Sequence, residues 1–387
     1  MTPRYYFDHA ASAPRRDEVA EAMARWSRGV VGNPSGSHRE AREARRAVEE
    51  ARDEVAAFVG ARPSEVIFTS GGTESCHLGV VGAARHHRRG HDTTSVVVSA
   101  IEHHAVLDAA ASLARDTDVT VRYVGVDHEG VVDVDELAAL LTPDTAVVSV
   151  MTANNETGVC QPLDAISSTV NAHVPGGAPL HTDAVAAAPW LHLPTVTATA
   201  ALVSICAHKI GGPVNSGALV AREGVGLDAV VPGGGQERGR RGGTVDVAAA
   251  VGLAAAVRAT ARELTAVHER VGDLQLRLAT ALAFLPGARI TAAHALRLPG
   301  TVHVTFEGLA SDEVLFLLDQ AGVAASAAAS CSSGAAHPSH VLAAMGVAPE
   351  RARGAVRLSM GEETTEPDVD AVIAILSAVV HRLRAEG

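Results

Sequence analysis

Lysine is almost missing from this chain. Of 32 basic residues in 387, one is lysine, Lys209, and the rest are arginine. Cysteine is scarce as well. Cys76, Cys160, Cys206 and Cys331 are too few and too scattered for a disulfide framework or a thiolate zinc site. The histidines have no mutual spacing that compels a metal, so none is expected. A basic excess is absent too: the formal net charge is −12, with no long Lys/Arg run, which excludes a general nucleic-acid or membrane-surface binder. No apolar run reaches the roughly 18 residues of a membrane helix. The opening MTPRYYFDHAASAP lacks a charged-then-apolar leader pattern and reads as cytoplasmic. With 47% hydrophobic and 20% charged residues, disorder is excluded as the main state. At roughly 150 residues per domain, the length suits two or three units, or one large and one small.

The shortage of lysine makes the remaining one informative. Arginine does most work of a solvated cation but does not lose its proton near neutral pH, so it cannot form an imine with an aldehyde. Lys209 follows the apolar run ALVSICA and precedes IGGP, which places it at the end of a buried strand. That position favours amine chemistry, a Schiff base, over a leftover surface residue.

Helical spacing marks residues 15–29 and 37–58. Six short β-rich runs follow, separated by helix-length stretches: 65–70, 95–100, 119–126, 145–153, 179–185 and 201–207. Buried strands alternating with helices predict an α/β fold with a mainly parallel sheet covered on both faces. After residue 255 the pattern changes to a long helix (256–285), an alternating strand (301–306), a small-residue stretch (324–336) and a closing helix (366–384). The expected organisation is a large unit, 15–255, and a smaller α+β unit of 1–14 and 256–387.

In parallel sheets, ligands bind beyond the carboxyl ends of the strands. Five of the six runs release competent side chains there: Gly71-Gly72-Thr73-Glu74-Ser75, Glu102-His103-His104, Asn154-Asn155-Glu156, Asp183 and His208-Lys209. A Gly-Gly turn opening a helix can cradle phosphate on free N–H groups. It lacks the following Gly-Lys-Ser/Thr of a P-loop and is not GxGxxG. A strand-end Asp suits a pyridinium nitrogen, although helix capping is the commoner use. A phosphate cradle, an imine-capable lysine and such an aspartate together describe pyridoxal phosphate, and no one of them does so alone. His103 suits stacking on a flat ring and proton relay. Cys331, in a Ser/Ala/Gly-rich loop, is the accessible thiol, and the other three read as structural. The segment 233–244, GGGQERGRRGGT, reads as a mobile cationic loop. Arg357, in an apolar strand-like run, needs a carboxylate partner.

These motifs bring the chain close to a known family. It resembles the cysteine desulfurases, fold-type I pyridoxal-phosphate enzymes of the class V aminotransferase group, nearly end to end. The matching motifs are YFDHAASAP, NPSGSH (33–38), GGTES, EHHAV (102–106), NNETG (154–158), HTDA (181–184), AHKIGGP (207–213), GGGQERGRRGGT, SCSSG (330–334), PSHVLAAMG (338–346) and RLSMG (357–361). The Cys331 loop resembles the long-loop branch associated with iron–sulfur assembly and sulfur delivery.

The resemblance implies a seven-stranded sheet in the large domain and a Cys loop (about 324–336) on the small one. It implies that Lys209 holds the cofactor aldehyde and moves the α-proton, that His103 stacks on the ring, and that Asp183 pairs with the ring nitrogen. Asn155 contacts cofactor or substrate. Gly72, Thr73, Cys206, His208 and Thr244 lie at the phosphate, Thr244 from the other subunit of a homodimer. Arg357 and Asn33 hold the substrate carboxylate. Cys331 takes sulfur from L-cysteine as a persulfide, releases L-alanine and passes sulfur to an acceptor protein.

Four positions depart from the family pattern. Ala186 stands where a ring-hydroxyl-binding Gln is usual and Cys206 where a phosphate-binding Ser is usual, while His9 and His77 replace Asn. They leave two alternatives open: a carbon–sulfur or carbon–selenium lyase of a specialised biosynthetic pathway, and a sulfur-relay scaffold with an impaired cofactor site.

Overall fold

A computed structural model describes residues 4–116, 118–327 and 339–386. The chain opens with β1 (Tyr5–Tyr6), α1 (Asp17–Ala24) and α2 (Arg39–Val59). An alternating series follows: β2 (Val66–Thr69), α3 (Gly72–Arg88), β3 (Thr94–Ser99), α4 (His104–Leu113), β4 (Val119–Val124), α5 (Val134–Leu140), β5 (Thr145–Ser149), α6 (Leu163–His173), β6 (Leu180–Asp183), α7 (Leu193–Val196), β7 (Leu202–Cys206) and β8 (Gly217–Ala221). The remainder is α8 (Val247–Ala283), β9 (Ala288–Ile290), β10 (Thr301–Phe306), α9 (Ser311–Gln320), β11 (Val323–Ala324), α10 (His340–Ala344), α11 (Pro349–Ala352), β12 (Ala355–Ser359) and α12 (Glu366–Glu386).

Seven strands form one sheet in the order β2-β8-β7-β6-β5-β3-β4. Only β8 runs antiparallel to its neighbours, β2 and β7. All six apolar runs read from the sequence are strands here. The seventh, β8, is GALVA, too poor in branched residues to declare itself. Strand parity sets the layers. Val96 and Val98 of β3 pack with α3 and α4, while Val97 packs with α5 and α6 on the other face.

A second sheet, β12-β10-β9, is antiparallel throughout. One buried apolar cluster runs from Val203 and Ile205 of β7 to Val304 of β10 and Leu358 of β12, so the two sheets share a core. Helix α8 is continuous from 247 to 283 and therefore passes through residue 255, where the sequence pattern changes. It starts nine residues before the expected helix because Asp246 caps it, its side chain accepting from Ala249 N–H at 3.0 Å. Gly252 lets α8 lie against α1: a β-carbon there would sit 2.8 Å from Met23 Sδ. The N-terminal segment joins the second sheet's side, with β1 parallel to β11 and Asp8 bridged to Ser359 of β12.

The loop 233–244 is not the free cationic turn that its composition indicates. Its Glu237 is buried and paired to Arg52 of α2, and its Arg241 is held by Glu74 at 2.8 Å. Six glycines and three arginines suggest mobility; one buried ion pair overrides them.

Candidate active site

Each parallel strand delivers its next residues to the same sheet edge, as strand direction dictates. Strand β7 ends at Cys206, and a single 3₁₀ turn, His208–Ile210, presents Lys209. Gly211 closes that turn at φ +73°, where a β-carbon would lie 2.9 Å from the Pro14 carbonyl oxygen. The Lys209 amine donates to the carbonyls of Ala10 (2.5 Å) and Ala11 (2.8 Å). Burial lowers its pKa, with the Arg357 charge adding to that and the Cys206 thiol and Asp183 opposing. A primary amine so placed gives up its proton more readily than a solvated lysine.

Asp183 closes β6 and is buried. Its Oδ1 accepts from Val185 N–H at 2.9 Å. Burial raises its pKa, so a cationic partner is what would keep it ionised. His103 caps α4, its Nδ1 accepting from Ala105 N–H at 3.0 Å. The ring proton therefore sits on Nε2, and burial holds the imidazole neutral by lowering its pKa. Between these, Glu102 is not the released acid the sequence suggests. It is wholly buried, accepts from Met151 N–H at 2.6 Å and has its pKa pushed well up by burial, which makes it a neutral part of the framework.

At the other side of the edge, α3 begins on Gly71-Gly72-Thr73. The first N–H groups of a helix have no intrahelical acceptor, so those of Gly72, Thr73 and Glu74 face outward, and Thr73 is exposed. A β-carbon on Gly72 would stand 3.1 Å from Val185 and 3.7 Å from Cys206 Cβ. Cys206 Sγ in turn lies 4.0 Å from His208 Nε2. Gly72, Cys206 and His208 are thus neighbours. Burial, together with the Lys209 charge, pushes His208 down to about 4.

Arg357 comes from β12 of the second sheet and is 5% exposed. It donates through Nη1 to the Asn155 carbonyl (2.8 Å) and through Nη2 to Asp8 Oδ1 (2.9 Å). Its buried Nε–H has no acceptor among the described residues. Asp8 is the carboxylate partner that the sequence required but did not identify. Asn155, Lys209, Ala186, His9 and Trp190 share the lining of one cavity of ≈ 70 Å³. His9 Nδ1 lies 3.1 Å from the Ser359 carbonyl, and His77 Nδ1 lies 3.1 Å from that of Thr73. Asn33 and Thr244 are together elsewhere, both exposed and lining a second cavity of ≈ 320 Å³ with Arg45 and Arg238. Asn33 Oδ1 accepts from Ser35 N–H there, apart from Arg357's partners.

Burial raises the thiol pKa at all three described cysteines: Cys160 to about 11, Cys206 to about 12, and Cys76 well above the usual value. None is a thiolate at neutral pH. Cys331, the expected nucleophile, lies outside the described residues.

The chain belongs to the aminotransferase class-V family, whose model matches residues 5–372. Its relatives include cysteine desulfurases. The IscS-like cysteine desulfurase of Mycobacterium tuberculosis is 41% identical, over 98% of this chain and 97% of that one. Cysteine desulfurase IscS 1 of Archaeoglobus fulgidus is 36% identical, over 98% of both. Among solved structures, a NifS-like protein superposes with a TM-score of 0.90 at 33% identity, covering 98% of this chain and all of that one. SspA in complex with cysteine matches at 0.79 and 30%, covering 93% of this chain and all of the other.

The family depends on pyridoxal 5′-phosphate, and the residues here fit that group. There is an outward-facing helix N-terminus for the phosphate, a buried carboxylate for the ring nitrogen, and the chain's one lysine amine for the aldehyde. Ala186 supplies no hydrogen bond to the ring hydroxyl.

Proposed function

We infer that this chain is a pyridoxal-phosphate-dependent cysteine desulfurase. The overall change is L-cysteine plus the Cys331 thiol giving L-alanine plus a Cys331 persulfide, whose outer sulfur then passes to an acceptor protein. The observation that carries this reading is the chain's one lysine, half-buried after a strand end with its pKa lowered, at the same sheet edge as Asp183 and His103.

When bound, pyridoxal phosphate supplies a ring that stores the electrons freed at the substrate's carbons. Lys209 anchors the aldehyde and, once released, moves the α-proton as a neutral amine. Asp183 holds its charge toward the ring nitrogen. His103 presents Nε2–H as a proton donor, because Ala105 N–H occupies Nδ1. Gly72, Thr73, Cys206 and His208 surround the phosphate. Asn155 and Arg357 hold the substrate carboxylate, the Arg357 Nε being the guanidinium nitrogen with no acceptor among the described residues. Asn33 and Thr244, which line a different cavity from Lys209, fit a homodimer in which Thr244 serves the partner's phosphate. The three protonated thiols leave Cys331 as the nucleophile.

In this reading residues 15–255 form the cofactor-binding domain, and 1–14 with 256–387 form the domain carrying the Cys331 loop. The enzyme works in the cytoplasm.

The test is alanine formation from L-cysteine by the cofactor-loaded protein, with alkylation and mass mapping of Cys331. A trapped Cys331 persulfide is expected, and it separates a desulfurase from a lyase that makes no persulfide. Cys331→Ser should stop alanine formation and keep the cofactor's absorbance. Wild-type turnover by that variant would overturn the nucleophile assignment.

A further inference from the structure

We propose that Asp8 is a positioning residue for the substrate: it holds the Arg357 guanidinium so that Nε–H is left without a protein acceptor and free to donate to the substrate carboxylate. The inference rests on the reading of Arg357 as the carboxylate-binding group. Its own support is the way the guanidinium is held.

Two acceptors fix the orientation, Asp8 Oδ1 on Nη2 and the Asn155 carbonyl on Nη1. The third nitrogen, Nε, is buried and has no partner among the described residues. A guanidinium is a planar fork, so two contacts on its far nitrogens decide where the third donor points.

The backbones on both sides are already fixed. Asp8 lies in a segment laid along β12, where Ser359 N–H donates to the Phe7 carbonyl (2.7 Å) and Ala10 N–H to Ser359 Oγ (2.9 Å). The Arg357 backbone pairs with Ser326, its N–H donating to the Ser326 carbonyl at 2.7 Å. What remains adjustable is the arginine side chain, and Asp8 is the charged group that sets it. The same segment offers the Ala10 and Ala11 carbonyls to the Lys209 amine. One short stretch therefore positions both cations that the substrate meets.

Asp8 also has the opposite capacity, since its carboxylate can compete with the substrate for Arg357. The two roles differ in sign. A competitor would occupy the side-on face of the fork, Nε included; here Nε has no acceptor among the described residues. Removing Asp8 should therefore weaken cysteine binding.

The experiment is steady-state kinetics of the cofactor-loaded enzyme with Asp8→Ala, Asp8→Asn, Arg357→Ala and the Asp8→Ala/Arg357→Ala pair. Asp8→Ala should raise KM for L-cysteine about tenfold with kcat within about twofold, a split that marks lost substrate binding. Asp8→Asn keeps an oxygen acceptor, and its KM should rise only about threefold. Inhibition by the product L-alanine should weaken in parallel, and inhibition by ethylamine, which lacks a carboxylate, should not move. In the Arg357→Ala background, Asp8→Ala should change nothing further. An unchanged or lowered KM in Asp8→Ala, with KM raised in Arg357→Ala, would overturn the positioning role alone. An unchanged KM in Arg357→Ala would overturn the carboxylate assignment, and this role with it. If Asp8→Ala does not fold, Asp8→Asn carries the same test, with unchanged KM and L-alanine inhibition as the contrary result.

Discussion

Two buried arginines, Arg52 and Arg357, show how one side chain serves two purposes. Arg52 spends all five of its N–H donors. Nε and Nη2 reach Glu49, Nη1 reaches the Val66 carbonyl, and Nη1 and Nη2 form a fork on Glu237 at 2.8 Å each. Its partner Glu237 also takes Phe68 N–H at 2.8 Å. This pair pins the loop 233–244 onto β2 and holds Glu237 and Arg238 at φ +46° and +57°, which non-glycine residues seldom adopt. Arg357 is as deeply buried yet keeps Nε unspent. A saturated buried cation is architecture. In the proposed reading, the donor that Arg357 keeps is the one the substrate carboxylate takes.

The largest effect should come from breaking the saturated pair. Glu237→Ala removes the buried counter-charge of Arg52 and leaves only the half-exposed Glu49, and about 3–5 kcal/mol of stability should be lost. Urea or thermal unfolding would read this, and a loss under about 1 kcal/mol would contradict the structural role. Arg357→Ala should cost little stability in comparison, but about 100-fold in kcat/KM, roughly 2.7 kcal/mol of transition-state binding.

The third prediction concerns His303, which faces Arg357 across the β10–β12 pairing. Burial, helped by Arg357, pushes its pKa down to about 3. An unfolded chain would protonate it near 6.5, so stability should fall as pH drops from 6.5 toward 3, by about 1.4 kcal/mol per unit. His303→Asn should flatten that slope, seen as a smaller drop in Tm between pH 6.5 and 5. His181, also pushed to about 3 by burial, would keep its own share. The smallest effect belongs to Glu49→Ala, which removes the half-exposed partner of Arg52 and should cost no more than about 1 kcal/mol.

Much of the fold was legible because parallel strands are nearly continuous apolar runs, and six of them stood out. β8 did not, since two of its five residues are alanine and one is glycine. The first turns of α8 were hidden in a run of alanine and valine with no polar face to reveal the period. In the site, Lys209 announced itself through scarcity, and Asp183 through its place after an apolar strand. Asp8 did not. It meets Arg357 across 349 residues of chain, and the cost of burying an arginine predicts an acid without saying which one. The carbonyls of Ala10, Ala11 and Asn155 left no mark at all, because a backbone acceptor is available at every residue type.

The central claim is that the amine of Lys209 carries the cofactor. Borohydride treatment of the cofactor-saturated enzyme, followed by peptide mass mapping, tests it most directly. A stable pyridoxyl-phosphate adduct on the peptide containing Lys209 is the predicted result. An unmodified Lys209 peptide from protein that had been visibly yellow before reduction would contradict it.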